Sequence, residues 1–591
     1  MSRRYFAAAL ALAFHAAPAL AAEPGCRVGT LAPLPVTMAG MQPLVRAKIN
    51  GKDAVFIADS GAFFSMISPG SAAEYGLSLE RLPTGFRLIG VGGTVVPMLA
   101  TVKTFTLAGV NIPRVEFLVG GSEVGSVGLL GQNVLALLDT EFDLGHGMIR
   151  LMRSENCSKA NLAYWAKPDQ AYSVLTTDPG DDERPHIMGS VYVNGVKLSA
   201  LFDTGAGASM LSLKAAAKLG LKPGGPGVTP GGGSGGIGRS FVNTWIGPVQ
   251  SVKIGDQEVV RNTKLRFGGD LMDTDMLIGA DFFLSHHVYW SNRYRKLFFT
   301  FNGGHVFDLS FLGDSGDKEA EPVGTSLAPA EIGPPPADAD GYSRRGAVRA
   351  ARRDFRGAIA DLDQALKLAP DNIEFLRQRA QLHAQMHQPD RALDDLDHLI
   401  KLKANDVEGL LLRAALRRQK DSGADVSRDI DAAAAAAAKS SDQRFEIADL
   451  YELTDDFPKA VAQYDLWIAA HPDDRRRPIA LNGRCWARTL SGKNLDLALK
   501  DCNSALSGMP HNPSFLDSRG LVRLRMGDNA RAIVDYDEAL TADDKIAWSH
   551  YGRGIAKLRL GQKEAGDADL AKAKALDPDL LDRAKKLGIT P

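Results

Sequence analysis

One short element occurs twice in this chain. FIADSGAFFSMI at residues 56–67 and LFDTGAGASML at 201–211 each run an apolar strand into an aspartate, a hydroxyl residue and a glycine, then into a second apolar run. Aligning Asp59 with Asp203 also aligns Gly61 with Gly205, Ala62 with Ala206, Ser65 with Ser209 and Met66 with Met210. An Asn-Gly pair, Asn50-Gly51 or Asn194-Gly195, begins nine residues before each aspartate. Asn-Gly between short apolar runs is the strongest short-range hairpin signal, because both residues accept the positive φ of a two-residue turn. A hairpin that delivers an aspartate, used twice, commits the chain to two all-β lobes of like plan. Each copy also ends alike, in GLLGQNVLALLDTEFDLG and in MLIGADFFLSHHVYW, with Gly131 72 residues after Asp59 and Gly279 76 after Asp203.

A chain of 591 residues exceeds one ordinary core. The reading places lobe 1 at 22–160, lobe 2 at 161–313, a Pro-rich polar linker at 314–340 and a different domain at 341–591. Beyond the linker the apolar period becomes helical and repeats: Ala358 and Ala392, Ala498 and Ala532, and Gly520 and Gly554 all stand 34 residues apart. This stretch resembles tetratricopeptide repeats, about seven helix pairs over 341–578, with Ala432–Ala438 inside an irregular third pair. The fold class expected is therefore multidomain: bilobal all-β barrels followed by an all-α solenoid.

The first residues carry Arg3 and Arg4, a short apolar run and the small-x-small pattern Ala19-Leu20-Ala21, so 1–21 reads as an export signal, with SRRYF similar to a twin-arginine type. His15 and Pro18 interrupt the run, which argues against a membrane anchor, and periplasmic or secreted localisation follows, with no stable membrane insertion after cleavage. Four cysteines suit that compartment. Cys26 and Cys157 bracket lobe 1, where a bridge would stabilise by roughly 4 to 5 kcal/mol on the chain-entropy model. Cys485 and Cys502 lie on consecutive helices of one hairpin and are a second candidate pair. Free buried thiols are the alternative, since connectivity is not encoded in spacing. With 69 Lys and Arg against 70 Asp and Glu, interspersed, no nucleic-acid partner is indicated.

Asp-Ser-Gly alone says little, because it recurs at 314–316 and 421–423. The strand before, the Gly-Ala after, the second strand and the later Leu-Leu-Gly or Leu-Ile-Gly distinguish Asp59 and Asp203. Together these elements resemble the retropepsin-like branch of the aspartic proteases, and their tandem arrangement resembles the two-lobed pepsin type. The resemblance implies an aspartic-type endopeptidase acting on polypeptides, with Asp59 and Asp203 as a proton-sharing pair that activates water. Like charges that close cannot both ionise. It further implies that Ser60 and Thr204 cross-link the two loops and that Gly61 and Gly205 permit the tight turns. No cofactor and no metal are implied.

A glycine-rich segment follows each aspartate, LIGVGGTVV at 88–96 and GGGSGGIGRSFVNTW at 231–245. Gly90, Gly92 and Gly93, and Gly235 and Gly236, are flap candidates by the same resemblance; for 231–236 a plain flexible loop is the alternative. Neither segment ends in Gly-Lys-Ser/Thr, which excludes a phosphate loop. Phe63 and Phe64, where the second copy has Gly207 and Ala208, are candidates for an apolar substrate pocket, against core packing of at least one ring. Ala62 and Ala206 stand where pepsin-like enzymes often carry a hydroxyl, which implies a less acidic pair and activity nearer neutral pH. The flap tyrosine of pepsins has no counterpart. His286-His287 reads as structural, and Asp273, Asp275 and Asp281 lack the pattern of a calcium loop. The function expected is an exported aspartic endopeptidase whose helical repeats offer a concave face to a protein partner. The alternatives are a proteolytically inactive peptide-binding module and a periplasmic scaffold acting through its repeats.

Overall fold

The structure is a computed structural model that describes residues 25–82, 86–90, 93–121, 126–178, 186–235, 242–271, 274–304, 306–307 and 335–591. The expected export signal at 1–21 and most of the linker at 314–340 lie outside the described residues. The chain divides into two compact units, Met1–Asp395 and Leu396–Pro591.

In the first unit both Asn-Gly pairs make the turns their sequence calls for, with φ of 51° and 84° at Asn50 and Gly51 and 49° and 80° at Asn194 and Gly195. Lobe 1 is built on β1 (Gln42–Ile49), β2 (Lys52–Ala58), β3 (Met66–Ile67), β4 (Met98–Leu107), β5 (Val110–Val119) and β6 (Gly128–Leu130). Lobe 2 repeats it as β7 (Met188–Val193), β8 (Val196–Phe202), β9 (Met210–Leu211), β10 (Thr229–Ser234), β11 (Val242–Ile254), β12 (Glu258–Gly268) and β13 (Met276–Ile278). Alternate residues of these strands, such as Phe56, Phe105 and Phe117 in lobe 1 and Phe202 and Phe267 in lobe 2, enter one apolar core.

In each lobe the strand that delivers the aspartate lies parallel to the strand before the closing glycine: Ala58 pairs with Leu130 and Phe202 with Ile278. A serine then caps the short helix after each site, Ser68 accepting from Ser71 N–H and Ser212 from Ala215 N–H. The two halves meet in one sheet, where Asp139–Asp143 runs antiparallel to His286–Ser291 with Thr140 opposite Trp290. A disulfide joins Cys26 to Cys157 at the margin of this sheet.

The first helix after the linker, Ala339–Ala351, packs on the β structure: Val348 is fully buried in the same apolar core, and Arg352 donates to the carbonyl of Leu284. Helix pairs of tetratricopeptide type follow, and an arginine on the first helix of a pair forks onto an aspartate of the second. Arg345 with Asp361 and Arg379 with Asp395 do so in the first unit. In the second unit Arg413 with Asp429, Arg484 with Asp501, Arg519 with Asp535 and Arg553 with Asp569 continue the series. The planar guanidinium suits this bidentate geometry, which satisfies carboxylates that helix packing has removed from water. There Cys485 and Cys502 are also bridged. Among the described residues no helix is long and apolar enough to cross a membrane.

Candidate active site

The two aspartate turns face each other. Asp59 N–H donates to Leu130 O and Asp203 N–H to Ile278 O, which hold each turn against its closing strand. Asp59 Oδ1 accepts from the N–H groups of Gly61 and Ala62 at 2.9 and 2.8 Å, and Asp203 Oδ1 from those of Gly205 and Ala206 at 2.8 and 3.2 Å. Four further bonds tie the turns together. Ser60 N–H donates to Thr204 Oγ1 (3.0 Å) and Thr204 N–H to Ser60 Oγ (2.9 Å). Ser60 Oγ–H donates to Phe202 O (2.8 Å) and Thr204 Oγ1–H to Ala58 O (2.7 Å). Both hydroxyls are fully buried, so this symmetric cross-link fixes the spacing of the carboxyls.

Each carboxyl lies over the other lobe's glycine. A Cβ added to Gly61 would stand 2.3 Å from Asp203 Cγ, and one added to Gly205 2.4 Å from Asp59 Cγ. Burial and then the neighbouring Asp203 charge raise Asp59 well above the ordinary aspartate range. Burial raises Asp203 too, while hydrogen bonds from Asp59 and from the turn amides hold it lower. The pair therefore keeps one proton where isolated aspartates would have lost both.

A second duplicated contact was not anticipated from sequence. Ser65 Oγ donates to Asn133 Oδ1 and accepts from Gly131 N–H; Ser209 Oγ donates to Asp281 Oδ1 and accepts from Gly279 N–H. Asn133 and Asp281 each stand two residues after the closing glycine, a match visible in the alignment of the two copies. Asp281 thus braces Ser209 beside the Asp203 turn, whereas Asp275 pairs with Lys218; Asp273 lies outside the described residues.

Of the flap candidates, Gly90 and Gly93 face each other in the hairpin of Leu88–Gly90 with Gly93–Val95, and Gly235 is exposed just past β10. Gly92 and Gly236 lie outside the described residues. Phe63 is half-buried against the His186 ring, with centroids 4.6 Å apart, and Phe64 tilts toward Phe86 at 6.3 Å. Opposite Phe63, Gly207 leaves room for Met41, whose Cβ would be 3.2 Å from an added Cβ.

His286 stacks on Phe282, and His287 stacks on Trp165 at 3.7 Å. Glu141, Asp143 and His287 bring donor atoms close enough for one cation. Their oxygens are already engaged: Glu141 accepts from Arg150, His287 and Tyr164, and Asp143 from His146 and Arg150. Burial works to raise Glu141, but hydrogen bonding and charge from His287 and the charge of Arg150 bring it below its ordinary value.

Residues 45–134 and 189–282 match the family described as aspartyl protease, one segment in each lobe. No curated protein matches the chain. Among solved structures, a tetratricopeptide repeat protein from Parabacteroides merdae is 19% identical over 43% of this chain and 99% of its own, with a TM-score of 0.33. The tetratricopeptide domain of P58(IPK) is 19% identical over 38% of this chain and 67% of its own, with a TM-score of 0.20. The chain accordingly holds two segments that match the aspartyl protease family, each carrying one aspartate of the facing pair, ahead of a helical region.

Proposed function

We propose that this protein is an exported aspartic endopeptidase in which Asp59 and Asp203 act as one catalytic pair. The observation that carries the reading is reciprocal: each carboxyl rests on the glycine of the other turn, with both turns locked by Ser60 and Thr204. In this reading Asp203, as carboxylate, takes a proton from a water that attacks the scissile carbonyl carbon, while the Asp59 proton passes to the carbonyl oxygen. The resulting gem-diol collapses as Asp203 returns its proton to the amide nitrogen and a diol hydroxyl returns one to Asp59. The C–N bond breaks, leaving a carboxylic acid and an amine. Both aspartates keep part of their surface open, as an incoming peptide requires. The repeat region is assigned to docking a protein partner, consistent with how helical repeats present side chains along their length.

The test is digestion of an unstructured casein-like substrate with and without a statine-type transition-state analogue, repeated with Asp59→Asn and Asp203→Asn. Inhibitable cleavage lost in each single variant supports the shared pair. No cleavage by the unmodified chain refutes the protease reading.

A further inference from the structure

Lobe 2 contains a buried cation with no counter-ion among the described residues. Arg266 lies near the end of β12, two residues before Gly268, and is 7% exposed. Its neighbours Leu265 and Phe267 enter the apolar core, so by strand alternation Arg266 points to the opposite face. On that face it is paired with Met210 of β9, the strand that leaves the Asp203 turn. Met210 in turn clusters with Leu271 and Leu277 against Ala206, whose N–H donates to Asp203. Arg266 therefore stands two side chains away from the candidate catalytic turn.

Its described bonds all go to neutral oxygens. Nε donates to Thr244 Oγ1 at 2.8 Å, and Nη2 to Gly231 O and Gly233 O at 2.9 and 3.0 Å. These bonds tie the glycine-rich strand β10 down onto β11, with Thr244 Oγ1 also donating to Gly232 O. The Nη1 amino group has no partner among the described residues, and burial lowers the guanidinium's pKa with no nearby carboxylate to offset it. A carboxylate binding there would gain charge-assisted bonds and would relieve an uncompensated charge that folding has removed from water. The matching position in lobe 1, paired with Met66, is Leu118, apolar and 1% exposed. The two lobes thus differ in kind at related positions.

We propose that Arg266 forms a subsite for an acidic substrate side chain, so that the enzyme selects polypeptides carrying Asp or Glu on the lobe 2 side of the scissile bond and an apolar residue on the lobe 1 side. This rests on the protease reading, and it is tested so that the two can fail separately. Casein-derived peptides that the full chain cleaves are resynthesised with Glu or Gln at each position flanking the cut, and kcat/KM is compared. Glu is favoured over Gln by at least about tenfold at one position, and Arg266→Met brings that ratio to within about twofold, while Arg266→Lys retains part of it. In parallel, labelled Glu and Gln peptides are titrated by fluorescence anisotropy into the full chain carrying both Asp59→Asn and Asp203→Asn, with and without Arg266→Met. Near-UV circular dichroism checks that each variant is folded. Cleavage with no Glu preference at any position overturns the subsite alone, as does a preference that survives in folded Arg266→Met. Glu-selective binding that depends on Arg266, without cleavage by the unmodified chain, supports the subsite and refutes proteolysis.

Discussion

Gly61 lies directly beneath the carboxyl of Asp203: any side chain at this position would place its Cβ 2.3 Å from Asp203 Cγ. No rotamer relieves the overlap, because Cβ is fixed by the backbone. Gly61→Ala must therefore push the carboxyls apart. The expected outcome is a fall in kcat/KM of at least about 100-fold, since a misplacement near 1 Å at reacting groups costs on that order. Gly29→Ala, whose Cβ meets nothing within 4 Å and whose φ lies outside the left-handed region, serves as the control for generic loss of a glycine.

The buried pair gives stability a pH dependence of known sign. Asp59 holds its proton more tightly in the folded chain than in the unfolded one, so folding takes up protons. The contribution of Asp59 is most favourable below the unfolded value of about 3.9 and declines as pH rises from there through its raised folded value. Asp59→Asn removes that penalty. Calorimetry is expected to show a higher Tm for Asp59→Asn than for the unmodified protein at pH 7, with the two converging near pH 3.5. A lower Tm at pH 7 contradicts the assignment. The same raised values place the optimum for cleavage above pH 4.

The Ser60–Thr204 cross-link is a test of coupling. Thr204→Val leaves the buried Ser60 N–H without an acceptor and the Ala58 carbonyl without its hydroxyl donor, a loss of about 1–3 kcal/mol for each unsatisfied group. Because both hydroxyls serve one network, the double variant Ser60→Ala/Thr204→Val is expected to fall short of the sum of the singles by about 0.5–3 kcal/mol in urea melts. Additive losses would mean that the hydroxyls act independently.

The repeat region offers a prediction free of the active site. Asp395 is 5% exposed, and both its oxygens accept from Arg379. Arg379→Ala strands that carboxylate and is expected to cost about 3–5 kcal/mol. Arg379→Leu with Asp395→Leu is expected to recover most of the loss, because the pair's value is chiefly the avoidance of an unpaired buried charge.

Asp59, Asp203 and both hairpins were legible because each rests on local chemistry: a positive-φ turn, an apolar strand, a glycine with no room for Cβ. The 34-residue helical period was legible for the same reason, since small residues recur wherever helices touch. What escaped was long-range. Asp281 reads as one of three loop acids until the fold sets it beneath Ser209. Glu141 and His287, 146 positions apart, meet only through the strand pairing of Thr140 with Trp290. Arg266 carries no signal of its own in the sequence, because strand alternation reveals its face only when both neighbours are known to be core. The helix Ala339–Ala351 follows a solvated linker in sequence, so nothing local announces that Val348 belongs to the β core.

Both aspartates ride on one polypeptide, joined through the strands that hold Thr140 opposite Trp290. On the proposed reading, catalytic competence then carries no second-order term: turnover per molecule should be the same at high dilution as in a crowded compartment. An enzyme that must find its own twin before it can work has no such independence from its abundance.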